Sequence, residues 1–302
     1  MMLKPAFNCR TAKTNCQMIS LKRSNRGKQD KSPLLRAPLL IILTGLGLLL
    51  IAVQILANAG SYIHSWFIRV EHPVTFSFTA YNQLLSTHVK DGRVDYSGLS
   101  RSPDLEKAVR ELEQISADHI VNPTDQLAFW INTYNLVNLK NIVEHYPLAD
   151  VRKIEAASSG RKYIIGGTPL SAQDIQMQIL TPMLYKEPRG LFLMCHGARG
   201  DPPLMDHALN RPHFDSDANT ATYLFVNDPD NVFLEADSHT LYLSRYFQRN
   251  EAVLTNYAGS PHRFALMFLD PATRPLVELP DLKTAFLSKF DFRLNDANPG
   301  GK

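Results

Sequence analysis

The sequence DQLAFWINTYNLVNLKNIVEHY, residues 125–146, predicts the central helix of a globular domain. Its apolar side chains recur at the spacing of one helix face. Asn122-Pro123-Thr124 provides a helix cap in front of this stretch, and Pro147 ends it. The apolar positions are Leu127, Trp130, Ile131, Tyr134, Leu136, Val137 and Ile142. We therefore expect the rest of the domain to be organised around this helix.

Two shorter helices are predicted before the central one. FSFTAYNQLLSTHV, residues 76–89, has helical character and ends at Lys90-Asp91-Gly92, where glycine permits the terminating backbone conformation. Ser102-Pro103 begins another helix, which we expect to extend to about residue 116. The intervening GRVDYSGL predicts an extended turn.

Short strands and further helices are predicted after the central helix. Residues 162–165 precede a Gly-Gly pair and predict a hairpin arm, while Ser171-x-x-Asp174 predicts a capped helix to about Leu180. The apolar run LFLMC, residues 191–195, is typical of a strand. The remaining expectations are a helix over residues 206–226, strands over Val232–Ala236 and Thr240–Leu243, helices from Ser244 to Ser288 and an extended segment over residues 290–294.

This order of elements predicts an α+β fold, a helix-rich single globular domain over residues 76–295 with a small antiparallel sheet. No internal repeat or heptad pattern is present, and the order does not favour a doubly wound sheet. A hydrophobic content of 44% and a charged content of 20% are ordinary for globular proteins. The polar residues 296–302 predict a disordered tail.

Charge is distributed unevenly along the chain. The formal net charge is +3, but residues 1–36 hold nine Lys or Arg and one acid, so they contribute +8 and leave −5 for the remainder. A folded part with a negative excess would repel phosphate backbones. The sequence therefore disfavours nucleic acid as a partner.

An uncharged apolar stretch follows the basic tail. APLLIILTGLGLLLIAVQILANA, residues 37–59, is long enough as a helix to span about 34 Å. Lys and Arg are concentrated before it, which predicts a cytoplasmic N-terminus and an extracytoplasmic domain. We expect a single-pass membrane protein that partners the lipid bilayer through this segment, with residues 60–75 as a juxtamembrane linker. The alternative is a signal peptide cleaved after Ala57-Asn58-Ala59.

One cysteine lies in the predicted domain. Cys9 and Cys16 belong to the tail, whereas Cys195 stands alone in LFLMCHGARGDPPL, residues 191–204. An apolar run that delivers a thiol to a glycine-flanked loop is compatible with a nucleophile, which a nearby imidazole would activate. The N–H groups of His196 and Gly197 are candidate oxyanion donors. The alternative is a small buried side chain, as most free cysteines are.

Five motifs in one order resemble domain-of-unknown-function family 547. They are HVKDGRVDYSGL (residues 88–99), AFWINTYN (residues 128–135), the Cys195 loop with Pro202-Pro203-Leu204, Leu243-Ser244 and FDFRLN (residues 290–295). Together they cover about residues 76–295 and imply that this range is one domain. The family has no established reaction, so the resemblance indicates which side chains to inspect.

The positions that match the family's motifs are His88, Gly92, Asp95, Tyr96, Trp130, Asn132, Tyr134, Asn135, Cys195, Pro202 and Pro203. Many members have Asn-Cys at the end of the apolar run and a second Cys before the paired prolines. Met194 and Asp201 occupy those places here. This departure excludes a dithiol couple within the loop and removes a ligand from any cysteine-based metal site.

Two hypotheses for the function follow. In the first, the domain is a thiol hydrolase or acyltransferase with Cys195 as nucleophile, His88 as base and Asn132 or Asn135 orienting the imidazole. Further pocket or loop candidates are His196, Gly197, Asp201, Trp130, Tyr134 and Asp95. In the second, the domain is a membrane-tethered binding or scaffolding module, and the same side chains cap helices, bond loops and fill the core.

Neither hypothesis implies a cofactor. The sequence contains no phosphate-cradling glycine loop and no nucleotide fingerprint. Six side chains between His196 and Asp215 are of metal-binding types, but their spacing matches no metal motif, so we predict no metal site. These six are His196, Asp201, Asp206, His207, His213 and Asp215.

Overall fold

The central helix forms as the sequence predicts. In the computed structural model, which describes residues 77–115, 117–154, 160–274 and 281–299, this helix extends over Pro123–His145. The Oδ1 atom of Asn122 caps it by accepting the backbone N–H of Thr124 at 2.9 Å. Residues 131–137 are all buried, so the helix is covered on every side along two turns. The core is built around it.

The helices are short apart from the central one. In chain order they are α1 (Thr79–His88), α2 (Tyr96–Leu99), α3 (Pro103–Gln114), α4 (Pro123–His145), α5 (Ala172–Asp174), α6 (Thr181–Leu184), α7 (Arg211–Val226), α8 (Arg245–Arg249), α9 (Glu251–Ala258) and α10 (Pro261–Phe268). A π-helical turn, Ile175–Leu180, joins α5 to α6, and Ala117–His119 and Pro188–Leu193 are 3₁₀ helices. The predicted capping box of Ser171 and Asp174 is confirmed at the start of α5.

Among the residues that the structure describes, seven short strands form three separate small sheets. They are β1 (Val89–Lys90), β2 (Arg93–Val94), β3 (Tyr163–Ile165), β4 (Thr168–Leu170), β5 (Val232–Glu235), β6 (Thr240–Leu243) and β7 (Lys283–Phe286). β1 with β2 and β3 with β4 are antiparallel hairpins, and the second confirms the turn predicted at the Gly-Gly pair. β5, β6 and β7 form one sheet, and the described residues therefore have the predicted helix-rich α+β character.

Two predictions about strands are wrong. β7 lies within the range predicted to be helical up to Ser288, and it pairs parallel to β6, so the sheets are not purely antiparallel. LFLMC is not a strand, because Leu191 to Leu193 end the 3₁₀ helix and Met194 and Cys195 are irregular. Periodicity over four or five residues does not distinguish a strand from a buried helical turn, and the partner of a parallel strand is remote in sequence.

The 3₁₀ helix Pro188–Leu193 is the centre of the second half of the core. It packs against α7, which also contacts α4 and α10. Phe192 lies among the rings of Phe225, Tyr246, Phe247 and Phe264 at centroid distances of 5.4–6.0 Å. Aromatic packing of this density brings chain segments from residues 188 to 268 together.

The C-terminal segment crosses the domain and pairs with three separate parts of it. Isolated bridges join Arg293 to Asp150, Leu294 to Ala198 and Asp296 to Val94. Asp296, which was placed in the predicted tail, is 5% exposed and accepts a hydrogen bond from the Tyr146 hydroxyl at 3.0 Å. This segment therefore belongs to the folded core.

The predicted membrane segment at residues 37–59 lies outside the described residues, as do the basic tail and the linker around it. Among the residues that are described, no helix combines the length and the apolarity needed to cross a bilayer.

Two serines that precede helices provide a matched test of capping. Ser260 Oγ accepts the Arg263 N–H at 3.1 Å in front of α10, whereas Ser244 precedes α8 without a side-chain cap. We expect Ser260→Ala to lower the free energy of unfolding by about 1 kcal/mol, because a helix N–H loses its acceptor. Ser244→Ala, the control, is expected to change it by less than about 0.5 kcal/mol. Urea unfolding followed by circular dichroism measures both, and equal losses would contradict the assignment.

Candidate functional site

Asn135 fixes the backbone that leads into Cys195, on both sides of Met194. Its Nδ2 donates to the Leu193 carbonyl at 2.9 Å, and its Oδ1 accepts the Cys195 N–H at 2.9 Å. One amide thus satisfies a buried donor and a buried acceptor that have no strand partner. Cys195 follows the 3₁₀ helix and is 5% exposed.

Asn132 makes the same pair of bonds to the far end of the loop. Its Nδ2 donates to the Leu209 carbonyl and its Oδ1 accepts the Leu209 N–H, both at 2.9 Å. Residues three apart on a helix lie on one side of it, so Asn132 and Asn135 face the loop together. The two candidate orienting residues therefore bind backbone at the two ends of the segment from Leu193 to Leu209.

The thiol of Cys195 is surrounded by the C-terminal segment and by α2. Asn295 Nδ2 donates to the sulfur at 3.5 Å, and the Asn295 Oδ1 in turn accepts the Tyr96 hydroxyl at 2.7 Å. Burial, and after it the negative charge of Asp201, raise the pKa of the thiol to about 12, against smaller opposing effects of the Gly197 N–H and of Asn295. The environment favours the neutral thiol.

His88 faces the carboxylate of Asp95. It is the last residue of α1, and its Nδ1 is 3.9 Å from Asp95 Oδ2. Asp95 caps α2 by accepting the Gly98 N–H at 2.9 Å. The structure thus pairs His88 with Asp95.

The two residues after Cys195 are positioned by contacts with α4. The His196 ring lies edge-on to Tyr134 at a centroid distance of 5.4 Å, and its Nδ1 is 3.6 Å from Asp201 Oδ1. Gly197 has φ +96°, and a Cβ there would lie 2.4 Å from Ile142 Cδ1. Only glycine therefore permits the loop to approach the central helix so closely.

Besides His196, the buried carboxylate of Asp201 has two closer partners. Its side chain is 1% exposed, Arg249 Nη2 lies 2.8 Å from its Oδ1, and the Ala198 N–H donates to its Oδ2 at 3.0 Å. The Arg249 guanidinium also lies 4.3 Å from the centre of the Phe290 ring. Through Arg249, whose side chain is partly exposed, the buried carboxylate connects the Cys195 loop to α8 and to the C-terminal segment.

The two aromatic candidates of α4 belong to the core. Trp130 is partly buried and packs at a right angle to Phe129, with 5.0 Å between the ring centres. Tyr134 is 1% exposed, and its hydroxyl donates to Gln176 Oε1 at 3.4 Å.

A cleft of about 800 Å³ opens beside the Cys195 loop. Its walls are the turn Asp91–Arg93, the loop residues Ala198–Pro203, the C-terminal residues Leu287–Asp291, Arg293 and Asn295, and Asp228, Asp230, Asn231 and Ser244. Gly92 has φ +73°, and a Cβ there would lie 2.2 Å from Pro203 Cβ, so the turn is pressed onto the loop. Cys195 and His88 do not line this cleft.

The side chains of metal-binding type between His196 and Asp215 form ion pairs with different partners. His207 lies between Asp206, at 2.8 Å, and Asp217, at 3.3 Å. Asp215 is 2.9 Å from Arg189 Nη2. Within the described part of the chain, no three side chains of metal-binding type are arranged so that they could hold a metal ion.

Residues 120–226 match the family model described as "Protein of unknown function, DUF547". The DUF547 match supports the resemblance that the motifs indicated, over a shorter range than residues 76–295. It contains Asn132, Asn135 and Cys195 and leaves out His88 and Asn295. No curated protein and no solved structure matches the chain.

Three residues at the site were not singled out by the sequence. Asn295, which bonds the thiol, and Ser244, which lines the cleft, both lie in motifs that carry the DUF547 resemblance, so those motifs were the available signal. Arg249 had no such signal, because it follows an ordinary helical pattern and its partner is 48 residues away.

Replacement of Asn135 tests its role in the loop. We expect Asn135→Ala to lower the free energy of unfolding by about 2–4 kcal/mol, because the Cys195 N–H and the Leu193 carbonyl are left buried and unpaired. Asn219→Ala is the control, since Asn219 accepts a bond from Arg189 at the surface, and it should cost less than about 1 kcal/mol. Urea unfolding measures both. Similar small losses would refute the role of Asn135.

Proposed function

We propose that this chain is a membrane-anchored extracytoplasmic protein whose domain is a non-enzymatic binding module, with the cleft beside the Cys195 loop as the binding site. The uncharged stretch at residues 37–59 and the cations before it support the anchor. The cleft, at about 800 Å³, has the size of sites that bind small molecules or short segments of chain.

The environment of Cys195 is the reason to propose binding rather than catalysis. A nucleophilic cysteine needs a lowered pKa and access to the substrate. Here the residue is 5% exposed, it does not line the cleft, and its pKa is raised to about 12. The asparagines of the candidate triad are engaged in bonds to backbone. These observations favour a packing role for the thiol and leave the cleft to bind a ligand.

The reactivity of the thiol distinguishes this function from a thiol hydrolase or acyltransferase. In a Cys9→Ser, Cys16→Ser background, only Cys195 reacts with iodoacetamide. Relative to an ordinary thiol, we expect native labelling at pH 7.5 to be slower by at least about 100-fold, since the thiolate fraction falls tenfold for each unit by which the pKa rises. Urea should restore the ordinary rate. If the labelling rate of the native protein instead rose with pH and had its midpoint below pH 8, the result would favour the hydrolase.

The anchor has a separate test. We expect carbonate washing to leave the full-length chain in the membrane, because residues 37–59 would lie in the hydrocarbon core. In the control variant, Leu48→Arg with Leu50→Arg, insertion should become less favourable by about 5–7 kcal/mol, and the protein should be released. Release of the unaltered full-length chain would contradict anchoring, and a membrane-free product that begins at Gly60 would indicate cleavage instead.

A further inference from the structure

Ser244 brings an unsatisfied hydroxyl to the wall of the cleft. The residue is 5% exposed, and its Oγ has no hydrogen-bond partner among the described residues. It precedes α8, yet the hydroxyl does not cap that helix. Buried hydroxyls are normally paired, so this one lacks the partner that an acceptor on a ligand would supply.

The charged side chains of the cleft divide into satisfied and unmatched groups. Asp291 accepts the Arg293 Nε–H at 2.9 Å, and Asp201 binds Arg249. Arg199 and Asp228 are hydrogen-bonded to backbone, since Arg199 Nε donates to the Leu294 carbonyl at 3.3 Å and Asp228 accepts the Asp230 N–H at 2.9 Å. Within the part of the chain that the structure describes, Arg93 and Lys289 have no carboxylate partner, and Asp91 and Asp230 have no cationic one. These four residues line one cleft and present both signs of charge. A ligand that carries one sign alone would leave the other uncompensated.

The wall of the cleft also includes apolar surface. Pro203 is exposed, and the neighbouring Leu287 is partly exposed. Apolar stems of long side chains pack well on such surface while their charged ends bind oppositely charged groups. A polypeptide combines three matching features, namely acceptors for a hydroxyl, charges of both signs and apolar stems.

We propose that the cleft binds a short peptide segment that carries both a basic and an acidic group, and that one of its backbone carbonyls accepts the Ser244 hydroxyl. This assignment rests on the proposed function, because both place the ligand in the same cleft. The acidic group of the peptide faces Lys289 or Arg93, and the basic group faces Asp230 or Asp91. A neutral saccharide would satisfy the hydroxyl but would leave these four charges without partners.

Selection from a random twelve-residue peptide library on phage, against the purified full-length chain, tests the proposal. We expect enriched peptides to contain both acidic and basic residues. Ser244→Ala should weaken binding of the best synthetic peptide about fivefold, measured by fluorescence anisotropy, because one hydrogen bond is lost. The control is Ser216→Ala, at an exposed serine outside the cleft, and it should leave the affinity unchanged.

Charge reversal supplies a second readout. Lys289→Glu should shift the enriched peptides away from acidic residues, whereas Lys186→Glu, at an exposed lysine that does not line the cleft, should not. The proposal is overturned if no peptide with both signs is enriched, if Ser244→Ala and Lys289→Glu bind the peptide as the unaltered chain does, or if a glycan array retains the protein while peptides do not. None of these outcomes depends on the reactivity of Cys195. Fast native labelling of the thiol would instead overturn the proposed function and not the peptide selection.

Discussion

The structure depends on pairing the backbone of a buried segment that forms no regular ladder. Between Leu193 and Leu209 the chain enters the core, where an unpaired N–H or carbonyl costs about 1–3 kcal/mol. Asn132 and Asn135 of the central helix supply a donor and an acceptor each, at the two ends of this segment. Two amides of a helix whose buried side chains are mostly apolar therefore determine where the loop lies, and with it the cleft that the loop helps to form.

The same requirement explains why residue types that resemble a catalytic set surround Cys195. The Tyr96 hydroxyl and the Asn295 amide form a chain of hydrogen bonds that ends at the sulfur. Such a chain joins α2, the C-terminal segment and the Cys195 loop, which are far apart in sequence. It leaves the thiol in a low-dielectric environment, and burial there raises its pKa. Polar groups of this network thus stabilise the architecture, while unmatched polar and charged groups lie at the walls of the cleft.

Local patterns predicted the regular elements well where the signal was long or chemically specific. The capped central helix, the Gly-Gly hairpin and the Ser171 capping box are of this kind, because side-chain periodicity and capping act within a few residues. The strand β7 and the irregular course of LFLMC were not predicted. Both depend on a partner remote in the chain, strand β6 for one and Asn135 for the other.

By itself, the sequence determined the helix-rich α+β character and the identity of the side chains around the Cys195 loop, since hydrophobic spacing and residue type are properties of the chain alone. The tertiary structure decided which of those side chains meet. It placed His88 against Asp95, Asn135 on the backbone of Cys195, and Arg249 on Asp201. Burial and proximity arise only when distant segments pack. These two quantities set the pKa of a thiol and decide whether a hydroxyl finds a hydrogen-bond partner.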